Sequence, residues 1–121
     1  MGRLVAIDVS GRRVRGVLLF ASQSECDVLT EEGTVRRARA DRVEAYGGPI
    51  ADETRRIAND AQVFGTLSEG ERVRFESREG VMIEGALVEK CRYGGLVLTG
   101  EGKLVAVGFR KLWPVSKDSV S

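Results

Sequence analysis

Short apolar runs, most of them alternating with polar positions, follow one another along nearly the whole chain, and glycine-bearing turns separate them. Residues 4–9 read Leu-Val-Ala-Ile-Asp-Val and predict a first strand, closed by a turn at Ser10-Gly11. Residues 13–20 predict a second strand and 21–25 a polar loop. A third strand follows at 27–30, a turn at Glu31-Glu32-Gly33 and a fourth strand at 35–40. Asp41 to Glu44 reads as a short turn into a last strand at 43–46. Strands this short, spaced by about ten residues, predict a small curled antiparallel sheet, a barrel or a sandwich.

The pattern then recurs. With Gly2 set against Gly70 and one extra residue, Glu79, allowed in the second copy, Val5 meets Val73, Gly11 meets Gly80 and Gly16 meets Gly85. Leu18 meets Leu87, and Val28-Leu29-Thr30 meets Val97-Leu98-Thr99. Glu32-Gly33 likewise meets Glu101-Gly102. The matching glycines fall at turns, where they permit positive φ. Gly16 and Gly85 instead fall inside a strand, where glycine marks a bulge or a sharp bend. The expectation is a duplicated, all-β chain: a barrel at 1–47, a linker at 48–69, a second barrel at 70–115 and a frayed tail at 116–121. In the linker, Gly47-Gly48-Pro49 breaks the pattern. Ile57, Ala61 and Phe64 then recur at helical spacing, so 52–64 predicts an amphipathic helix, with Asp52 to cap its start and Gly65 its end. An extended Ala61–Phe64 stays open as the alternative.

The second copy resembles the SH3-like small barrels, the Tudor and KOW class. The residues that carry the likeness are Leu67-Ser-Glu-Gly-Glu-Arg-Val-Arg-Phe, Gly80-Val-Met-Ile-Glu-Gly-Ala-Leu-Val and Val107-Gly-Phe-Arg-Lys-Leu. The resemblance implies two tandem five-stranded barrels, with a single 3₁₀ turn at Phe109–Leu112 before the last strand. The first copy fits more loosely, with Ala40–Val43 at the same turn. Its Gly11-Arg-Arg-Val-Arg-Gly-Val-Leu is similar to an Sm-like motif, but the rest of the Sm pattern is missing. Barrels of this class bind nucleic acids, methylated or proline-rich peptides, or other proteins, so the resemblance alone selects no ligand.

Composition narrows the chemistry. The chain has 42% hydrophobic and 31% charged residues, which places it among folded globular proteins. No apolar run is long enough for a membrane helix, and the first residues lack the pattern of a signal peptide, so a cytoplasmic protein is expected. There is no histidine. With only Cys26 and Cys91 as thiols, no metal site, cofactor or catalytic set is expected, and both thiols are read as reduced and partly buried. The 19 basic residues balance 18 acidic ones, which lowers the prospect of a dedicated nucleic-acid binder.

Two surface constellations remain. Arg13, Arg15, Arg37 and Arg39 would share the outer face of the first copy, as a phosphate-binding patch or as one side of cross-strand ion pairs with Asp27, Glu31 and Glu32. In the second copy Leu104-Val-Ala-Val and Leu96-Val-Leu are apolar on both faces. A small barrel has one interior, so the other face needs a cover, from within the chain or from a partner. Tyr93 and Trp113 are the aromatics left for a surface role. The leading expectation is a non-catalytic adaptor that binds another protein, or a second copy, through Leu96, Val105, Trp113 and Tyr93. Nucleic-acid binding by the four arginines is the alternative.

Overall fold

The structure, a computed structural model, describes residues 1–115; the tail expected to fray, 116–121, lies outside the described residues. The chain divides into two compact units, Met1–Gly65 and a second beginning at Thr66. The first holds β1 (Leu4–Val9), β2 (Arg12–Ala21), β3 (Glu25–Thr30), β4 (Val35–Arg39) and β5 (Glu44–Ala45), with a 3₁₀ turn at Ala40–Arg42. Helix α1 (Asp52–Thr66) follows. The second holds β6 (Arg72–Glu76), β7 (Met82–Lys90), β8 (Gly94–Thr99), β9 (Leu104–Gly108) and β10 (Trp113–Pro114), with a 3₁₀ turn at Phe109–Lys111. Each unit is a five-stranded antiparallel sheet, in the orders β4-β3-β2-β1-β5 and β9-β8-β7-β6-β10. The all-β, two-unit expectation therefore stands, and the 3₁₀ turn falls where the resemblance placed it.

The duplication is visible in the hydrogen-bond register. Val5 pairs with Gly16 and Gly16 with Thr30; Val73 pairs with Gly85 and Gly85 with Thr99. Each long strand carries an irregularity at the same place, after Leu18 in β2 and after Leu87 in β7. Gly16 is required there. A Cβ on it would lie 2.4 Å from the carbonyl oxygen of Leu29, and one on Gly85 would lie 2.5 Å from that of Leu98. The neighbouring strand crosses too closely for any side chain. The glycine and the bulge together let one strand bend and serve both halves of a curled sheet.

In the first unit Val5, Ile7 and Val28 form a buried cluster, against which Val9, Leu18, Ala38 and Val43 pack. Ala38 comes from the edge strand β4 and Val43 from the approach to β5. In the second unit Val73, Phe75, Leu87, Val97, Val107, Phe109 and Leu112 are buried.

Two details depart from expectation. The helix runs on to Thr66, through Gly65, which does not take the positive φ of a left-handed cap. One interior glycine costs only about 1 kcal/mol, and the buried Phe64 beside it holds the last turn in place. The buried helix face is Thr54, Ala58, Ala61 and Phe64, with Ile57 at its margin. The hairpin turns also differ. Ser10 and Gly11 both have positive φ, as a two-residue type I′ turn demands, whereas the extra Glu79 makes a longer loop closed by Gly80.

Candidate functional site

Side chains alternate between the two faces of a strand, and residues opposite each other in the register share a face. In the first unit, the face opposite the core cluster carries Leu4, Val17, Leu29 and Val35 in one cross-strand row. The matching row of the second unit is Arg72, Ala86, Leu98 and Leu104. The two rows differ in what covers them. In the first unit Val17 is 0% exposed and Leu19, at the bulge, 4%. Their counterparts are Ala86, which is half-buried, and Val88, which is 47% exposed. Leu98 and Leu104 are 43% and 57% exposed, against a half-buried Leu29 and a Val35 that is itself 48% exposed, so the difference lies at Val17, Leu19 and Leu29. Within the first unit α1 is the element available as a cover. Its backbone passes so near Gly2 that a Cβ there would lie 2.7 Å from the Gln62 nitrogen and 2.8 Å from the Ala58 oxygen. Gln62 also donates a hydrogen bond to the Gly2 carbonyl at 3.1 Å.

Of the residues singled out for protein binding, Leu96 lies on this outer face, opposite Ala106 and half-buried. Val105 does not. It stands opposite the fully buried Val97, so strand alternation turns it toward the core side. There it lines a groove of about 750 Å³ with Phe75, Ile83, Tyr93 and Phe109. Tyr93 stands at a junction, since it also borders a second depression of about 440 Å³ over Leu96, Ala106 and Gly108. Trp113 is farther along, opposite Arg74 in β6 and beside Met82, Arg78 and Lys111. The structure thus groups Tyr93 with Val105 on one side of β9 and with Leu96 on the other. Sequence reasoning passed over Leu98 and Leu104 as site residues. The signal was present: Val107 matches the inward Ala38, so Val105, two residues before it, must also turn inward and Leu104 outward.

The arginines of the first unit are engaged with acids. Arg13 pairs with Asp8 at 3.3 Å and, at closer range, with Glu44. Arg15 meets Glu31 at 3.0 Å, and its guanidinium lies 5.5 Å from the centre of the Tyr46 ring. It also donates to the Tyr46 hydroxyl and the Pro49 carbonyl. The Tyr46 hydroxyl first, and Glu31 second, raise the pKa of this arginine above its ordinary value. Arg37 bonds the buried Asp27 at 3.2 Å and Arg39 bonds Asp41 at 3.0 Å. Arg15 and Arg37 do not form one cluster, because β3 lies between their strands and they stand toward opposite ends of it. The counterparts of Asp27 and Arg37 in the second unit are Leu96 and Ala106, so an ion pair in one copy is an apolar pair in the other.

Cys26 is buried, but Cys91 is exposed rather than partly buried, because it sits in the turn between β7 and β8. Among the described residues, no group of three metal-ligating side chains could hold an ion, and no helix is long and apolar enough to cross a membrane. Compared with protein-family models and with curated proteins, the chain matches none.

Proposed function

We propose that this chain is a non-catalytic interaction module, of the SH3-like kind its sequence resembles, and that the outer sheet face of its second unit docks another protein. One observation carries the reading. Val88 and Leu98 are exposed where their first-unit counterparts, Leu19 and Leu29, are buried and half-buried, and Leu104, exposed like its counterpart Val35, extends the same bare patch. Duplicated units start with the same surface, so an apolar set left bare in one copy is an unfilled contact. Contiguous exposed apolar side chains of this kind mark interaction sites on folded proteins. The ion pairs of Arg13, Arg15, Arg37 and Arg39 favour the ion-paired reading of the first copy over a phosphate-binding face, since each guanidinium already has a carboxylate beside it.

The test compares the wild-type chain, Leu98→Glu and Arg39→Ala as immobilised baits. The expected result is a protein partner retained by the wild type and by Arg39→Ala and lost from Leu98→Glu. Binding of the purified partner should weaken about tenfold or more in Leu98→Glu, with unchanged circular dichroism. Equal affinity of wild type and Leu98→Glu would remove the outer face from the reading. Retention of nucleic acid instead, with affinity falling steeply as salt rises, would move the function to the arginines.

A further inference from the structure

Among the described residues β9 is an edge strand, with β8 on one side and no strand of its own sheet on the other. The phase of its ladder shows which backbone groups are left over. The Thr99 N–H donates to the Lys103 carbonyl and the Phe109 N–H to the Tyr93 carbonyl. By alternation, Val105 and Val107 direct their N–H and C=O groups to β8, and Leu104, Ala106 and Gly108 direct theirs outward. The same phase holds in the first unit, where the Thr30 N–H donates to Thr34 and the Ala40 N–H to Ser24. There the outward groups belong to Val35, Arg37 and Arg39. Charged side chains on an edge discourage another strand from pairing with it. β4, with Arg36, Arg37 and Arg39, is guarded in this way; β9, Leu-Val-Ala-Val-Gly, has no charge at all.

We propose that β9 pairs antiparallel with β9 of a second copy, about a two-fold axis at Ala106. The strand is complementary to itself in that register. Ala106 faces Ala106 of the second copy, and its outward N–H and C=O groups exchange two hydrogen bonds. Leu104, the largest outward side chain, falls opposite Gly108 of the second copy, and Val105 opposite Val107. Nothing within its own unit requires glycine at 108. Its φ is −68°, and a Cβ there would meet nothing within 4 Å. A glycine with no local reason fits a place kept open for the leucine of another copy. The depressions along β9, over Val105 and Phe109 on one face and over Leu96 and Ala106 on the other, give the incoming side chains room on both sides. Pairing would also join the two exposed outer faces into one surface. This goes beyond the adaptor reading and fails separately from it: a monomer that still binds its partner through Leu98 would refute only the pairing.

Sedimentation of the full chain across about 1 µM to 1 mM tests it, a range suited to an interface at the small end of known sizes. The expected result is a reversible monomer–dimer equilibrium. Ala106→Arg places at β9 the residue that β4 carries at the same position, and should weaken dimerisation by about tenfold or more. Ala106→Pro removes an N–H that its own sheet does not use, which an edge strand tolerates, and should act alike. Amide exchange at Ala106 should slow as concentration rises, while exchange at Val107 stays protected throughout. A wild type that is monomeric over the whole range overturns the proposal. So does a dimer that both variants keep, or exchange at Ala106 that is independent of concentration.

Discussion

The first and second units share a backbone, down to the register of their ladders and the place of the bulge, yet they differ in how each sheet meets its surroundings. In the first, the edge strand carries arginines, one of them bonded to a buried aspartate, and the outer face is buried at Val17 and Leu19 though open at Val35. In the second the edge is uncharged and the outer row is bare. The difference separates two layers of information in the chain. Glycines at fixed places specify the path of the backbone, and both copies keep them. The outward side chains specify what the sheet touches, and there the copies have diverged.

The sharpest way to break the comparison is at the shared bend. Gly16→Ala and Gly85→Ala each force a Cβ to within about 2.5 Å of a carbonyl oxygen of the neighbouring strand, and backbone on both sides must move. Each should cost about 3 kcal/mol or more, as overpacking at an unyielding site does. The effects should be similar in size but local to one unit. Trp113, the chain's one tryptophan, belongs to the second unit, so its fluorescence should report early unfolding for Gly85→Ala and little change for Gly16→Ala. A large cost at only one of the two positions would show that the copies do not share the bend.

A second pair sharpens the comparison at the strand entry. Gly2 and Gly70 have φ of +87° and +91°, and each donates its N–H to the matching carbonyl, Leu18 or Leu87. Positive φ alone costs a non-glycine residue roughly 1–2 kcal/mol. Gly70→Ala should cost that much and no more, since nothing lies within 4 Å of its Cβ position. Gly2→Ala meets the α1 backbone as well and should cost about 1–2 kcal/mol beyond Gly70→Ala. It should also raise amide exchange in α1. Equal costs, measured by denaturant unfolding, would mean that the contact between α1 and Gly2 contributes nothing to the first unit.

These two pairs also mark the boundary of what the sequence discloses. The turn glycines, the duplication and the mid-strand bend were legible because each answers to a local rule, positive φ, close approach or period-two alternation, whereas the 3₁₀ turn at Phe109 came from the resemblance to SH3-like barrels. Val105 was assigned to the wrong face although the rule was available, since Ala38 and Val107 already marked that parity as inward. The cover over Val17 and Leu19 was not legible. Leu4, Val17, Leu29 and Val35 are all apolar, yet only Val17 is fully buried, and a run of apolar residues does not say which of its members is covered. The ion pair of Arg37 with Asp27 was only half legible, because alternation put both residues outward but could not foretell that Asp27 would be buried.

That pair supplies the smallest and most discriminating prediction. Arg37→Ala leaves the buried Asp27 carboxylate without its guanidinium partner and should cost about 1–2 kcal/mol, the usual penalty for a buried polar group that loses a hydrogen bond. Asp27→Leu with Arg37→Ala installs the Leu96 and Ala106 of the second unit at the same two positions. Arg37 is exposed and only Asp27 is buried, so leucine at position 27 removes the one group that the loss of Arg37 penalises, and the double variant should recover most of the loss. Its edge strand would then lack one guard, and this makes the second readout more telling than the first. If the charge at position 37 is what keeps β4 from pairing with other chains, the double variant should be as stable as the wild type and yet self-associate more strongly in sedimentation. Full stability with no gain in association would show that the remaining arginines, Arg36 and Arg39, are guard enough.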